Sequence, residues 1–456
     1  MTPVNEHPGE VPSSARKSIF RATILNPLAP ERIEFFKDGA LAIDDGGTIL
    51  AAGEYRPILR AHRGAKVVDL AGRLVIPGFV DTHTHLPQYP AAGLHGKQLL
   101  DWLDSFIYPA ERNFTPRAAA RLAPVFFARL LSCGVTTAAV YCSVQKESTR
   151  IAFRAAERSG IRAIIGKAMM DRNVPRFLRE TTEQSLRASE ELCREWNGAD
   201  RGRLKYAFTP RYAPSCSAEL MREAARMARA SGAYIQTHLA ENRAEVEWVR
   251  RLFPKAASYT NVYENAGMLT ERTVLAHCIY LGARERLLIA RNRCGVAHCP
   301  ASNLFLQSGM MPLREMLDSG LRIGLGSDVA GGPTLDPFAT MRTAVYVATA
   351  RALAPGSRAR ARMIGVSTAF FLATMGGATA LGLEGVTGNL APGKDADFAV
   401  INPKLFDGGC GVYGQADNAE TIVSQLVFLG DERAVEMTFV RGRRCYSAEW
   451  SERPSR

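Results

Sequence analysis

The middle of the chain constrains the fold most, because apolar, strand-like runs alternate there with amphipathic helical stretches. The eight strand candidates are LVIPGFVDTHTH, GVTTAAVYC, IRAIIGKAMMD, RLKYAFTPR, AYIQTHLAE, RTVLAHC, CGVAHCP and RIGLGSDVAGG. Helical stretches such as TPRAAARLAPVFFARLLSCG and STRIAFRAAERSG separate most of them. Eight β-α units predict an α/β fold of the (β/α)8 TIM-barrel type. The span from Leu74 to about Leu383 slightly exceeds the ~250 residues typical of that barrel and lies within its insertion range.

The two ends of the chain follow a different pattern, in which short strands are broken by glycine and proline turns. The stretch DGALAIDDGGTILAAG alternates apolar with small or polar residues around Asp45-Gly46-Gly47, a strong hairpin signal. Near the other end, GNLAPGKDADFAVINP and EMTFVRGRRCY show the same character. We therefore expect a flexible tail at residues 1–17, a small β-sandwich domain built from residues 18–73 and 385–450, and the barrel at residues 74–384.

Composition narrows the class of protein. Hydrophobic residues make up 46% and charged residues 22% of the 456 positions, which is typical of a globular chain. No run approaches the ~18 apolar residues of a membrane span, and the first residues contain no signal-peptide core. Nine cysteines without a C-x-x-C pair indicate reduced thiols in a cytoplasmic protein. The net charge of +12 comes mostly from arginines scattered along helices, so we expect no nucleic-acid partner and no membrane partner.

Two histidines stand one residue apart at the end of the first barrel strand, in a chain with only eight histidines. Side chains at positions i and i+2 of a strand point to the same face, so His83 and His85 project together into the mouth of the barrel. Two imidazoles held in this way suit a divalent metal. On its own the pair fits a hydrogen-bonded couple without a metal equally well.

Other barrel strands end in the same residue types. His238 ends the fifth strand candidate, His277 ends the sixth and Asp328 ends the eighth. Each alone is explained as a satisfied polar residue, but the carboxyl ends of the strands meet at one face of a barrel. Three histidines and one carboxylate, with one position left for water, form the pattern of a catalytic zinc, whereas a structural zinc takes only protein ligands.

Two further positions bear on the chemistry. Glu241 follows His238 by three residues, and it is either a helix-start glutamate favoured by the helix dipole or a proton shuttle beside the metal. Asp328 can serve twice, as a ligand and as a base that aligns the attacking hydroxide. The fourth strand ends in Arg211 and Tyr212 and has no lysine to bridge two metals, which favours a single ion.

Nine stretches, in chain order, resemble the guanine deaminases of the amidohydrolase superfamily. They are PGFVDTHTHLPQYPAAG, LLDWL, TPRYAPSCS, THLAENRAEVE, TVLAHCIYL, VAHCPASNL, GLGSDVAGG, LATMGGATALGL and GNLAPGKDADFAVINP. The resemblance covers residues from about 20 to 445. The H-x-H element points only to the superfamily, while the glutamine of HTHLPQ, the T-P-R-aromatic stretch and SDVAGG are more specific.

The resemblance implies roles for the residues at the mouth of the barrel. It makes His83, His85, His238 and Asp328 ligands of one zinc ion per subunit. It makes Glu241, Asp328 and His277 the catalytic group, with Glu241 as the proton shuttle. His277 would hydrogen-bond the water or the tetrahedral centre, and whether it also ligates the metal is left open, as is zinc against iron.

The resemblance also implies how the substrate is bound. Gln88 and Arg211 would read the edge of guanine, and Tyr212 would pack beside them where the family often has phenylalanine. The substrate-binding set is completed by His85, His238, Glu241 and Asp328. Leu99, Leu100 and Trp102 are candidates for the pocket wall, although core packing explains them as well.

The resemblance implies the hydrolytic deamination of guanine to xanthine and ammonia by a cytoplasmic homodimer. The alternative within the superfamily is a deaminase or chlorohydrolase acting on another purine, a pterin or a triazine. A non-catalytic scaffold on the same fold is disfavoured because every ligand type is kept. A nucleic-acid deaminase is disfavoured because its H-x-E and P-C-x-x-C signature is missing.

Overall fold

The computed structural model describes residues 17–354, 363–409, 411–414 and 416–448. The tail predicted at residues 1–17 therefore lies, apart from Lys17, outside the described residues. No helix in the described part of the chain combines the length and apolar character needed to cross a membrane.

The strands divide into two sheets. In chain order they are β1 (Ser18–Ala29), β2 (Arg32–Ile43), β3 (Ile49–Glu54), β4 (Lys66–Pro77), β5 (Phe79–His85), β6 (Val135–Tyr141), β7 (Arg162–Gly166), β8 (Ala168–Met169), β9 (Leu204–Pro210), β10 (Tyr234–Leu239), β11 (Thr273–His277), β12 (Gly295–His298), β13 (Arg322–Leu325), β14 (Phe398–Ile401), β15 (Val435–Val440) and β16 (Arg443–Ser447).

Most of the main helices follow barrel strands and cover the outside of the barrel, whereas the first of them packs against β2 and β3. They are Tyr55–Ala61, Leu99–Trp102, Tyr108–Arg112, Pro116–Ser132, Lys146–Ser159, Thr182–Trp196, Ala218–Ser231, Arg243–Leu252, Tyr259–Asn265, Ala283–Arg291, Pro300–Phe305, Leu313–Asp318, Pro337–Leu353, Val366–Leu372, Met375–Ala380 and Ala419–Leu429. Short 3₁₀ turns lie at Leu86–Ala91, Ala213–Ser215 and Glu432–Ala434, and a π turn lies at Leu103–Ile107.

Eight parallel strands form a nearly closed barrel in the order β5, β6, β7, β9, β10, β11, β12, β13. Every residue of β5, β6 and β7 is buried, because helices cover the outer face of a parallel barrel while side chains fill its interior. The helix Pro116–Ser132 begins where the Thr115 hydroxyl accepts the Ala118 N–H at 3.3 Å, and Lys146–Ser159 ends at Gly160 in the left-handed conformation. The predicted fold class is confirmed.

Both chain ends meet in one seven-stranded sheet, here called the chain-end sheet, in the order β16, β15, β14, β4, β1, β2, β3. The β1–β4 pair is parallel and the other pairs are antiparallel. Alternate residues of β14 enter different apolar clusters: Phe398 and Val400 pack within the chain-end sheet, and Ala399 and Ile401 pack in the large core shared with the barrel. Strand β4 runs past the predicted boundary at residue 73, and the domain limits stay predictions.

The seam between the first and last barrel strands lies directly under the site. The Asp328 N–H donates to the His83 carbonyl oxygen at 2.8 Å, and the His85 N–H donates to the Val329 carbonyl oxygen at 3.2 Å. These bonds tie the end of β5 to the loop that follows β13. Residues that are 245 positions apart in sequence, counted from His83 to Asp328, are thereby held side by side.

The other end of this seam is closed by the helix Met375–Ala380. A Cβ atom at Gly324 of β13 would lie 2.4 Å from Thr82 Cγ2 and 2.7 Å from Gly377 Cα. No side chain fits at these distances, so glycine at position 324 is what allows the helix to approach β5 and β13 closely.

Candidate active site

Four side chains converge at the carboxyl ends of three barrel strands. His83 and His85 come from β5, His238 comes from β10, and Asp328 follows β13; together they are called the ligand cluster. One donor atom from each lies within 4.8 Å of all the others. The Nε2 atoms of His83 and His85 lie 3.0 and 3.2 Å from Oδ1 of Asp328, and the Nε2 atoms of His85 and His238 are 3.2 Å apart. The structure thus brings together the four predicted metal ligands.

The orientation of His238 shows which of its nitrogens faces the cluster. Its Nδ1 donates to the carbonyl oxygen of Arg211 at 2.7 Å, which places the ring proton on Nδ1 and the lone pair on Nε2. Three imidazole Nε2 atoms and a carboxylate oxygen then point at one another across about 3 Å. With His83 and His85 in the same tautomer as His238, the lone pairs of the three Nε2 atoms face the carboxylate and repel one another. A shared cation removes that repulsion, so the donor set fits a metal ion.

The electrostatics of the cluster favour neutral imidazoles around a carboxylate. Burial lowers the pKa of His83, lowers that of His85 to about 3, and lowers that of His238 well below the ordinary value. Burial acts to raise the pKa of Asp328, but its contacts with His83 and His85 outweigh burial and hold the pKa well below the ordinary value. Neutral histidines and an ionised carboxylate are the forms that bind a divalent ion.

Two of the predicted site residues have a strained backbone conformation. His277 has φ of 72° and Asp328 has φ of 47°, both in the left-handed region that side chains other than glycine rarely adopt. For Asp328 the hydrogen bond from its N–H to the His83 carbonyl holds this conformation. Strain of this kind persists where the surroundings fix it, and it is common at active sites.

His277 lies beside the ligand cluster. Its Nε2 is 3.4 Å from Glu241 Oε2 and 3.7 Å from Asp328 Oδ2, and it is buried without a hydrogen-bond partner among the described residues. Its Nδ1 lies 2.9 Å from Oδ1 of Asn303, a residue that the sequence analysis missed. His277 and Asp328 also form a donor group with Cys299, but burial raises the pKa of the Cys299 thiol well above its ordinary value, which makes it a poor ligand.

Glu241 is buried on the pocket side of the cluster. Its Oε1 accepts a hydrogen bond from the Ser308 hydroxyl at 3.2 Å. Burial, followed by the nearby Asp328 carboxylate, raises the pKa of Glu241 well above its ordinary value. The helix Arg243–Leu252 is capped by Asn242 and Glu245, and Oε2 of Glu245 accepts the Glu241 N–H at 2.9 Å. Asn242 and Glu245 therefore supply the helix cap. The Glu241 carboxyl takes no part in the cap and lines the pocket.

The predicted purine-reading residues share a partner that the sequence analysis did not find. Gln88 Nε2 donates to Oε1 of Glu111 at 3.1 Å, and Arg211 Nη1 lies 2.5 and 2.6 Å from the two carboxylate oxygens of Glu111. Burial acts to lower the pKa of Arg211, but the Glu111 carboxylate outweighs burial, so the net pKa is raised. Tyr212 lies alongside, with its hydroxyl 3.5 Å from that of Tyr108.

These groups line one cleft with about 410 Å³ of empty space, its mouth included. Of the predicted metal-binding, catalytic and substrate-binding residues, only His83 is not part of the lining. The lining residues are His85, Gln88, Leu99, Trp102, Leu103, Arg211, Tyr212, His238, Glu241, Glu245, His277, Leu306 and Asp328. Leu99 and Trp102 therefore form part of the wall, as the sequence suggested, whereas Leu100 does not. An apolar wall with a few convergent polar groups is typical of a small-molecule site.

Lys167 is held away from the ligand cluster. Its ammonium group forms an ion pair with the Glu180 carboxylate and lies 3.4 Å from the Ser185 hydroxyl. The side chain is completely buried in that pairing. It is therefore engaged in this ion pair and not in the ligand cluster, and the single metal ion stays a prediction.

Residues 74–445 match the family model described as "Amidohydrolase family". The guanine deaminase of Escherichia coli is 37% identical over 422 residues, covering 91% of this chain and 92% of that protein. The guanine deaminase of Rattus norvegicus is 34% identical over 439 residues, covering 93% and 96%.

Solved structures of guanine deaminases are also similar to this chain. The E. coli guanine deaminase structure has a TM-score of 0.88 and 34% identity and covers 94% of this chain and 99% of that one. The structure of the C. acetobutylicum guanine deaminase, with guanine bound in its active site, has a TM-score of 0.88 at 29% identity and covers 94% and 100%. The family predicted from the sequence is thereby confirmed: the chain belongs to the amidohydrolase family, with the guanine deaminases.

Proposed function

We propose that the protein hydrolyses guanine to xanthine and ammonia. The observation that carries this proposal is one cleft with three kinds of lining group. They are members of a metal-ligand set, an arginine with a glutamine, and apolar side chains. Guanine is flat and neutral, and it presents a carbonyl oxygen beside a ring N–H. Its flat faces suit Leu99, Trp102 and Leu306, and its polar edge suits Arg211 and Gln88.

We further propose that the ligand cluster holds one zinc ion. Three histidine nitrogens and a carboxylate are a common donor set for catalytic zinc, although other divalent ions also accept it. When bound, the ion would supply a water molecule whose pKa is lowered to about 7, so that hydroxide is available at neutral pH.

The residues of the chain orient the substrate. Arg211 donates to the guanine carbonyl oxygen, and Gln88 contacts the same edge, while the apolar side chains confine the ring. This arrangement turns the carbon that bears the amino group towards the ligand cluster. A purine without the carbonyl leaves the buried Arg211 donors unpaired, and mismatches of that kind give strong discrimination.

The remaining side chains move protons. Glu241 takes one proton from the attacking water and delivers it to the neighbouring ring nitrogen. It then passes the second proton, taken from the new hydroxyl group of the tetrahedral centre, to the departing amine. Asp328 accepts a hydrogen bond from the hydroxide and aligns it, and His277 hydrogen-bonds the tetrahedral centre through Nε2. One C–O bond forms, the C–N bond breaks, and xanthine and ammonia leave.

The direct test is to incubate the purified protein with guanine and to follow xanthine by its ultraviolet absorbance and ammonia by a coupled assay. Adenine, a pterin and a triazine serve as competing substrates. We expect guanine to be the preferred substrate and the reaction to stop when a chelator is added. Turnover of a pterin or a triazine in preference to guanine would overturn the proposal.

The homodimer and the cytoplasmic location implied by the resemblance stay predictions. Light scattering of the purified protein and fractionation of cells that produce it are the measurements that test them.

A further inference from the structure

We infer that Glu111 is a positioning residue that sets the donor–acceptor pattern with which the cleft reads its ligand. It fixes Gln88 with the amide oxygen free and Arg211 with its remaining N–H groups free. The Gln88 oxygen is then a hydrogen-bond acceptor that lies beside the Arg211 donors. This pattern is complementary to a ligand edge in which a ring N–H lies beside a carbonyl oxygen. The inference rests on the proposed function, because guanine presents an edge with this pattern.

The orientation of the Gln88 amide follows from its partner. A carboxylate accepts hydrogen bonds and donates none, so the amide group facing Oε1 of Glu111 is the NH₂. The two ends of a glutamine amide are otherwise hard to tell apart, and here the partner decides. The amide oxygen of Gln88 therefore points away from Glu111, and Gln88 lines the cleft.

The arginine is held in a similar way. Its Nη1 makes both bonds to the Glu111 carboxylate, while Nε and Nη2 of Arg211 donate to none of the described residues. Arg211 also lines the cleft, so these N–H groups are the ones available to a ligand. Glu111 itself is 3% exposed and is not part of the cleft lining, so it acts through its two partners.

The resulting pattern separates two purines of nearly equal shape. At the edge in question guanine presents a carbonyl oxygen and an adjacent N–H, which pair with the Arg211 donors and the Gln88 oxygen. Adenine presents an amino group and an unprotonated ring nitrogen at the corresponding positions. It therefore sets donor against donor and acceptor against acceptor, and buried mismatches are costly.

The substitution Glu111→Gln changes this pattern with little change in shape. The new amide has one acceptor oxygen, which Arg211 engages, and one NH₂ group, which faces the NH₂ of Gln88. The Gln88 amide then turns over to offer its oxygen to the new NH₂ group and its own NH₂ to the cleft. We expect guanine affinity to fall about 10- to 100-fold, the effect of leaving one or two buried polar groups mismatched, with adenine affected much less.

The double variant Glu111→Gln with Gln88→Glu restores the original pattern. The carboxylate at position 88 accepts from the amide at position 111 and keeps an oxygen facing the cleft. The double variant also returns a negative charge to the neighbourhood of Arg211. A role in folding alone predicts no such recovery of guanine selectivity.

The experiment uses the metal-loaded protein: steady-state kinetics give the KM of guanine, and competitive inhibition gives the Ki of adenine. If guanine is not turned over, equilibrium dialysis with radiolabelled guanine and, separately, adenine gives the two affinities. The variants are Glu111→Gln, the double variant, and Glu111→Asp, which keeps the charge beside Arg211 but withdraws it from Gln88. Glu183→Gln, at an exposed glutamate on the helix Thr182–Trp196, is the matched control. Thermal unfolding of each variant is measured in parallel.

Support is a guanine-to-adenine affinity ratio that falls at least tenfold in Glu111→Gln and recovers in the double variant, with Glu183→Gln unchanged. If Glu111→Gln does not fold, the same fall in the affinity ratio of Glu111→Asp supports the inference.

An unchanged affinity ratio in the folded variants, or no recovery of the ratio in the double variant, overturns the inference. A wild-type protein that binds guanine selectively but does not hydrolyse it when metal-loaded refutes the proposed function alone. A wild-type protein without selective guanine binding refutes both.

Discussion

Both oxygens of the Asp81 carboxylate accept hydrogen bonds from Ser327, one from its N–H at 3.0 Å and one from its hydroxyl at 2.6 Å. The pair joins β5 to the loop after β13, two residues from His83 and one residue from Asp328. The same carboxylate accepts the His83 N–H at 3.2 Å. The Asp81–Ser327 pair therefore fixes the separation of two members of the ligand cluster.

We predict that Ser327→Ala weakens both the fold and the metal site. Loss of a hydrogen bond to a buried carboxylate lowers the free energy of unfolding by about 1.5–3 kcal/mol. Loss of a support behind the ligands lowers zinc affinity about 10- to 100-fold. Denaturant unfolding and competition with a zinc indicator measure the two effects. Ser132→Ala, a half-buried hydroxyl at the end of the helix Pro116–Ser132, is the control. Equal zinc affinity in the two variants would contradict the assigned role of the pair.

We predict that Glu241→Gln slows turnover without abolishing guanine binding. Removal of a positioned general acid–base costs about 10²- to 10⁴-fold in kcat, and the amide keeps the size of the side chain and the contact with Ser308. Steady-state kinetics give kcat, and equilibrium dialysis gives the affinity. The exposed Glu183→Gln variant keeps wild-type kcat. A Glu241→Gln enzyme with kcat within a factor of three of wild type would remove Glu241 from the mechanism.

We predict that the Lys167–Glu180 pair supports the fold and takes no part in metal binding. Burial lowers the pKa of Lys167, and the Glu180 carboxylate opposes that shift. Glu180→Gln leaves the buried ammonium uncompensated and lowers the free energy of unfolding by about 3–5 kcal/mol. The double variant with Lys167→Met recovers most of that loss. Zinc content stays at one ion per chain in both variants, and a loss of metal in the folded double variant would show that Lys167 contributes to the site.

We also predict that stability depends on pH through a helix cap that does not line the cleft. Burial raises the pKa of Asp336 from 3.8 to about 7, with Glu432 adding to the shift, while hydrogen bonding from the Phe338 N–H and attraction to Arg342 oppose it. Folded protein therefore holds this proton more tightly than unfolded protein does. The stabilising contribution of Asp336 is complete below pH 3.8 and is lost as the pH rises to about 7.

Asp336→Asn tests this dependence, because asparagine caps a helix as well as aspartate does and can keep the bond to the Phe338 N–H. We predict that the variant is more stable than wild type at pH 8, by on the order of 2–4 kcal/mol, and that the difference shrinks towards pH 4. Thermal unfolding across this pH range provides the measurement. Parallel stability curves for the two proteins would rule out a raised pKa at Asp336.

Much of the fold was predictable because the barrel strands are buried on both faces and read as continuous apolar runs. The positions of His83, His238, His277 and Asp328 were predictable for a related reason. Each stands at the carboxyl end of a strand, and a barrel brings those ends to one face. Strand periodicity therefore located the cluster without any knowledge of side-chain contacts.

Glu111 and Asn303 could not be found in this way. Glu111 lies near the end of the short helix Tyr108–Arg112, and its partner Arg211 is 100 residues away. Asn303 lies on the helix Pro300–Phe305 and reaches His277 across 26 positions. Neither contact follows a strand or helix period, and a glutamate in IYPAER has the appearance of a surface residue. Only the folded chain shows that its charge is buried and paired.

The central claim is that one metal ion, held by the ligand cluster, drives the hydrolysis of guanine. The most direct measurement is elemental analysis of the purified protein combined with guanine turnover before chelation, after chelation, and after zinc is returned. We expect one divalent ion per chain, xanthine and ammonia in equal amounts, loss of turnover with the chelator, and recovery with zinc. Folded, metal-loaded protein that leaves guanine unchanged, or full turnover in metal-free protein, would contradict it.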